Sequence, residues 1–68
     1  MRIRETKEVK LIWEKKDEEV IKPWMDYYRK DGWIIADKYL STFTEEDSQS
    51  YITYRKSFLY DTFREEEE

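Results

Sequence analysis

Between residues 51 and 60 the chain sets aromatic rings beside cations: Tyr51, Tyr54, Arg55, Lys56, Phe58 and Tyr60. Rings that stack on bases, next to cations that hold phosphates, are the equipment of single-strand-binding sheets. The same residue types also suit plain packing on a pleated surface. No spaced glycine-aromatic motif of an RNA-recognition sheet accompanies them. Tyr51, Tyr54, Arg55, Lys56 and Phe58 are therefore the candidates of an alternative reading, a single-stranded nucleic-acid binder. The net charge of −4 works against general duplex binding, because neutralising phosphates supplies most of that affinity.

Carboxylates gather at Glu45-Glu46-Asp47 and at Glu65-Glu66-Glu67-Glu68. Neither run has the spaced ligands and turn glycine of a calcium loop. The first reads as a solvated connection and residues 65–68 as an acidic disordered tail. The chain has no His and no Cys, which removes the commonest general base and the thiol nucleophile. A glycine-rich phosphate loop is excluded, since Gly32 stands alone. The expectation is no enzyme, with no catalytic residue, no cofactor and no metal ligand.

The elements that must carry any surface are punctuated by two residues. Gly32 is the only glycine and Pro23 the only proline. Glycine takes the positive φ that ends a helix, and proline is tolerated in a first turn but disruptive deeper inside. Asp17-Glu18-Glu19 offers a capping residue and an acidic first turn, and Arg29-Lys30 suits the last turn. A helix is expected near 18–31, either bent at Pro23 or starting near Lys22. Before it, Val9, Leu11 and Trp13 alternate with Glu8, Lys10 and Glu14 as in a half-buried strand near 7–15, with Ile12 breaking the pattern and residues 2–7 polar enough to be a frayed or extended edge. After it, a strand near 33–44 puts Trp33, Ile35, Tyr39 and Phe43 on one face and Ile34, Ala36 and Leu40 on the other. A third, near 51–60, puts Ile52, Tyr54, Phe58 and Tyr60 opposite Tyr51, Thr53, Arg55, Ser57 and Leu59. The expected core is Val9, Leu11 and Trp13, then Val20, Trp24 and Tyr28, then one parity of each later strand.

The order β-α-β-β gives an α+β fold, a three-stranded sheet with one helix on one face, in a single domain over residues 1–64. A helical crossover makes the first two strands parallel, and the last two form an antiparallel hairpin. Sixty-eight residues lie near the lower limit for a core with no disulfide or metal staple. One helix covers one face, yet the second strand is apolar on both. The second face should therefore be covered either by the chain's own N-terminal arm or C-terminal segment, including Phe63, or, the favoured reading, by a second copy or a partner protein. The expected function is a small acidic protein-interaction module, homodimeric or bound to a partner protein, acting as a regulator or virus-encoded inhibitor. Trp33, Ile35, Tyr39, Phe43, Tyr51 and Leu59 are its candidate interface.

No segment approaches the roughly 20 apolar residues that cross a bilayer, and the charged start lacks a signal core. No membrane association and a cytoplasmic location are expected. The charge is polarised: residues 1–16 hold six Lys/Arg and three Asp/Glu, and residues 61–68 one and five. With no Asn and 44% charged residues, the composition leans toward a thermophilic source, prokaryotic or viral.

Overall fold

The computed structural model describes residues 2–61. Strand β1 (Arg2–Glu14) leads through a 3-10 turn (Lys15–Asp17) into helix α1 (Glu18–Lys30), followed by β2 (Ile34–Tyr39) and β3 (Gln49–Asp61). The three strands form one antiparallel sheet of order β1-β3-β2, with the helix on one face. β1 and β2 do point the same way, as a helical crossover requires, but β3 lies between them and pairs antiparallel with both. No helix among the described residues is long and apolar enough to cross a membrane. The tail at 65–68, and Phe63, lie outside the described residues.

β1 and β3 pair over thirteen residues without a break, from Arg2 opposite Asp61 to Glu14 opposite Gln49. At about 3.4 Å per residue this ribbon is roughly 40 Å long, whereas a helix of this length spans about 20 Å. One helix thus roofs only half of its own face, and the Cα radius of gyration is 17.2 Å, well above the 10–11 Å or so of a compact chain this size. Residues 2–7 take the extended-edge form rather than the frayed one. Every one of Arg2 to Lys7 is held in register by a β3 partner.

The core is small. Trp13, Ile52 and Tyr54 are buried, and Leu11, Ile21, Met25, Tyr28 and Trp33 pack against them. From the helix it is the Ile21, Met25, Tyr28 ridge that turns inward, correcting the expected Val20 and Trp24, which are exposed. Both ridges run at helical spacing on one wide apolar stripe, and the angle at which α1 meets the sheet selects between them. Pro23 lies within the helix at its sixth residue. It offers no N–H to the Glu19 carbonyl.

The helix ends at Gly32, with φ at +90°. Gly32 N–H donates to Arg29 O at 3.2 Å and Trp33 N–H to Tyr28 O at 3.0 Å, the paired bonds of a Schellman close. The Tyr28 and Trp33 rings meet edge to face at 5.3 Å and supply the apolar contact that accompanies it. A Cβ on Gly32 would meet nothing nearer than Lys56 at 3.9 Å, so the requirement for glycine here is conformational rather than steric.

β2 differs most from the sequence pattern. Its register slips between Ile35 and Asp37, with Ala36 as the extra residue. A bulge restarts the alternation one residue late. Ile35, opposite Tyr54, faces the helix, while Ile34 and Tyr39, opposite Arg55 and Tyr51, face away. The strand also stops at Tyr39 rather than 44, because Ser41 N–H donates to the buried Ser50 hydroxyl at 2.9 Å instead of to the β3 backbone. The acidic connection that follows ties back to the 3-10 turn: Lys15 N–H donates to Ser48 O and Lys16 N–H to Glu46 O.

Candidate protein-interaction surface

Each sheet face has its own chemistry, set by which parity of β1 and β3 meets the helix. Odd residues of β1 and even residues of β3 lie on the helix side, and the complementary set lies on the helix-free side. On the helix-free side Ile12, Ile34 and Leu59 are 59%, 62% and 62% exposed, and Tyr39 is 46% exposed. The Tyr39 and Tyr51 rings stand 6.0 Å apart, and the Lys10 ammonium lies over Tyr51, 4.3 Å from its centre. Polar pairs divide this apolar surface: Arg55 donates to Glu8 at 2.7 Å, Thr6 meets Ser57 at 3.2 Å, and Tyr51 O–H donates to Asp37 at 3.4 Å. The charge of Asp37 raises the Tyr51 phenol above its ordinary value.

On the helix side, a groove of about 500 Å³ opens between α1 and β2. Met25 and Arg29 form its helix wall, Trp33 and Ile35 the strand wall, with Ile34 also bordering it, and Tyr54 the floor. Arg29 is held by Asp26, which also accepts from Lys30 at 3.0 Å. The hydrogen bonds from Lys30 and then Arg29 hold the Asp26 carboxyl below its ordinary range. Beyond the helix, Tyr60 O–H donates to Glu5 at 3.0 Å, which raises the tyrosine's pKa.

The six candidate interface residues do not share one surface. Tyr39 and Tyr51 lie together on the helix-free face, with Leu59 on the same face eight residues further along β3; Trp33 and Ile35 border the groove on the other; Phe43 is exposed in the loop after β2. The five candidate nucleic-acid residues are divided in the same way. Tyr51 and Arg55 face away from the helix, and Tyr54, Lys56 and Phe58 face toward it. Tyr54 is 3% exposed, stacked under Tyr28 at 5.0 Å. Lys56 is engaged by Asp31 at 3.3 Å, and Phe58 meets Trp33 at 6.5 Å. No single platform of stacked rings results.

Sequence reasoning passed over Ile12 and Ile34 as members of the helix-free patch. The signal for Ile12 is its break in the β1 alternation; the alternation of β2 does set Ile34 opposite Trp33 and Ile35, as found, and only Tyr39, beyond the bulge, changes face. Trp24, beside Pro23 and Tyr27, adds a further exposed apolar area on the outer side of the helix.

Asp31 gathers the helix close to the sheet. Its carboxylate accepts from the Trp33 indole N–H at 3.0 Å and from Lys56 at 3.3 Å. These bonds, the indole first, lower its pKa from 3.8. A lowered carboxyl stabilises the fold above its unfolded pKa, and the contribution disappears as pH falls through the folded value. The Trp33 indole N–H resonance is therefore expected to shift on acidification with a midpoint below 3.8, and Asp31→Asn is expected to abolish the shift. A resonance that does not move on acidification, or that moves equally in Asp31→Asn, would show the contact to be absent in solution.

Comparison of the chain with family models, curated proteins and solved structures finds no match to any of them.

Proposed function

We propose that the chain is a small non-enzymatic protein-interaction module, self-associating and acting as a regulator or virus-encoded inhibitor, that presents its helix-free sheet face to a partner protein. The observation that carries the reading is the set of apolar side chains on that face, Ile12, Ile34, Tyr39, Tyr51 and Leu59, with no layer of this chain over them among the described residues. Exposed apolar side chains gathered on one face of a small domain are a common mark of a docking site. Large aromatic and aliphatic anchors ringed by polar groups supply most of the energy at such sites. Lys10, Glu8, Arg55 and Asp37 are the polar groups set among them here.

The test is the native mass of the assembly recovered from its source lysate, for the natural chain and for the double variant Ile12→Glu, Ile34→Glu. Both positions are exposed, so circular dichroism should be unchanged. The natural chain is expected to carry a second protein and the variant to lose it. A natural chain recovered without a protein partner, or a partner retained by the variant, would reject this face as the docking surface.

A further inference from the structure

Native sheets protect their edges, and the two edges here are treated differently. β2 is blunted: six residues, a bulge, and charged Asp37 and Lys38. β1 has thirteen residues, an unbroken register with β3, and neither Pro nor Gly. Its second side faces no strand among the described residues.

The order of side chains along that edge is self-complementary. Residues 3–9 read Ile-Arg-Glu-Thr-Lys-Glu-Val. Two copies laid antiparallel with Thr6 opposite Thr6 set Ile3 against Val9, Arg4 against Glu8, and Glu5 against Lys7, each pair occurring twice. Every charge in the segment then meets an opposite charge, and each apolar residue meets another. Directly opposed pairs are what stabilises a sheet, and like charges opposed destabilise it.

Registers centred on the charged residues around Thr6 fail. A two-fold axis normal to the sheet keeps each face on its own side, so the axis must pass through a residue. Centred on Glu5, Lys7 or Glu8 it opposes that charge to its own copy, and centred on Lys7 it adds Arg4 against Lys10. In the Thr6 register the next pair outward is Arg2 against Lys10, a like-charge pair that bounds the match. Lys10 is already drawn across the sheet over Tyr51.

Charges serving only to repel neighbours would need no such order. Among the described residues Arg4 forms no ion pair within the chain, whereas Glu8 of a second copy would lie opposite it. The helices do not obstruct this pairing. Each packs against Leu11 and Trp13 of its own β1, and the two Leu11 positions would be ten residues, or about 34 Å, apart along the strand direction.

We propose that β1 pairs with β1 of a second copy, antiparallel with Thr6 opposite Thr6, giving a six-stranded sheet of order β2-β3-β1-β1-β3-β2 with both helices on one face. This rests on the self-associating part of the proposed function and names the strand through which copies meet; docking on the helix-free face is a separate matter.

Sedimentation velocity on the full chain tests it, with Glu5→Lys and Lys7→Glu measured singly, as an equimolar mixture, and combined in one chain. The natural chain is expected to dimerise. Each single variant replaces two attractive pairs with two repulsive ones, and the dimer dissociation constant is expected to rise about 10- to 100-fold. The mixture is expected to recover the dimer, because one copy then carries cations at both positions and the other carries carboxylates at both. The combined variant is expected to dimerise alone. Recovery in the mixture also shows that both single variants fold. A natural chain that stays monomeric, single variants that dimerise as tightly as the natural chain, or a mixture and combined variant that fail to associate would each overturn the pairing. Self-association sensitive to Ile34→Glu but indifferent to Glu5→Lys and Lys7→Glu would place the contact on the helix-free face, sparing the proposed function and removing the edge.

Discussion

Tyr54→Ala is expected to cost about 3–5 kcal/mol and to leave much of the chain unfolded at 25 °C. A domain of this length has only about 3–10 kcal/mol to lose, at roughly 0.05–0.15 kcal/mol per residue. Tyr54 sits on the central strand, with Val9 opposite it on one side and Ile35 on the other. Its ring is the floor on which Tyr28 stacks. Removing it opens a void beneath the helix that the other two buried side chains, Trp13 and Ile52, are not placed to fill. Tyr51, three residues earlier on the opposite face, is the matched control: Tyr51→Ala should cost less than about 1 kcal/mol, since no helix covers that ring and its face is already in contact with water. Denaturant unfolding followed by circular dichroism, at one protein concentration for all variants, measures both. If the two substitutions cost the same, the helix does not pack on the face described.

The same pair of tyrosines shows what the sequence made legible. The alternation of β3 correctly separated Tyr54 from Tyr51, because strand parity is a property of the backbone alone. The helix close at Gly32 was equally legible, since a positive φ leaves few alternatives. β2 was not, because its faces depend on where a single extra residue is accommodated. Ala36 gives no local sign of being that residue, and a slip there exchanges the side of everything after it. The inward ridge of α1 was hidden for a different reason. Val20-Trp24 and Ile21-Met25 are adjacent rows of one stripe, and only the tertiary crossing distinguishes them. The polar start of β1 looked weak in isolation, yet it is held by the β3 residues opposite, which lie nearly fifty positions away or more. For the interface, composition pointed to a need for cover but not to its location, since exposure is a result of topology.

Stability should therefore depend on protein concentration, and the size of the effect follows from the small core. Only Trp13, Ile52 and Tyr54 are buried hydrophobics in the described chain. If copies pair through β1, unfolding dissociates a dimer into two chains, and each tenfold rise in concentration adds about 1.4 kcal/mol per dimer, or roughly 0.7 kcal/mol per chain. For a domain of this size 1 kcal/mol moves Tm by about 4–8 °C, so Tm is expected to climb about 3–6 °C per decade of concentration. Over three decades that is roughly 9–18 °C, large enough to read by circular dichroism at the low end and calorimetry at the high end. Glu5→Lys alone should flatten the slope, and its mixture with Lys7→Glu should restore it, because the dependence arises only where unfolding and dissociation are the same event. A Tm independent of concentration for the natural chain would mean that the three-residue core and its thirteen-residue ladder hold the fold unaided.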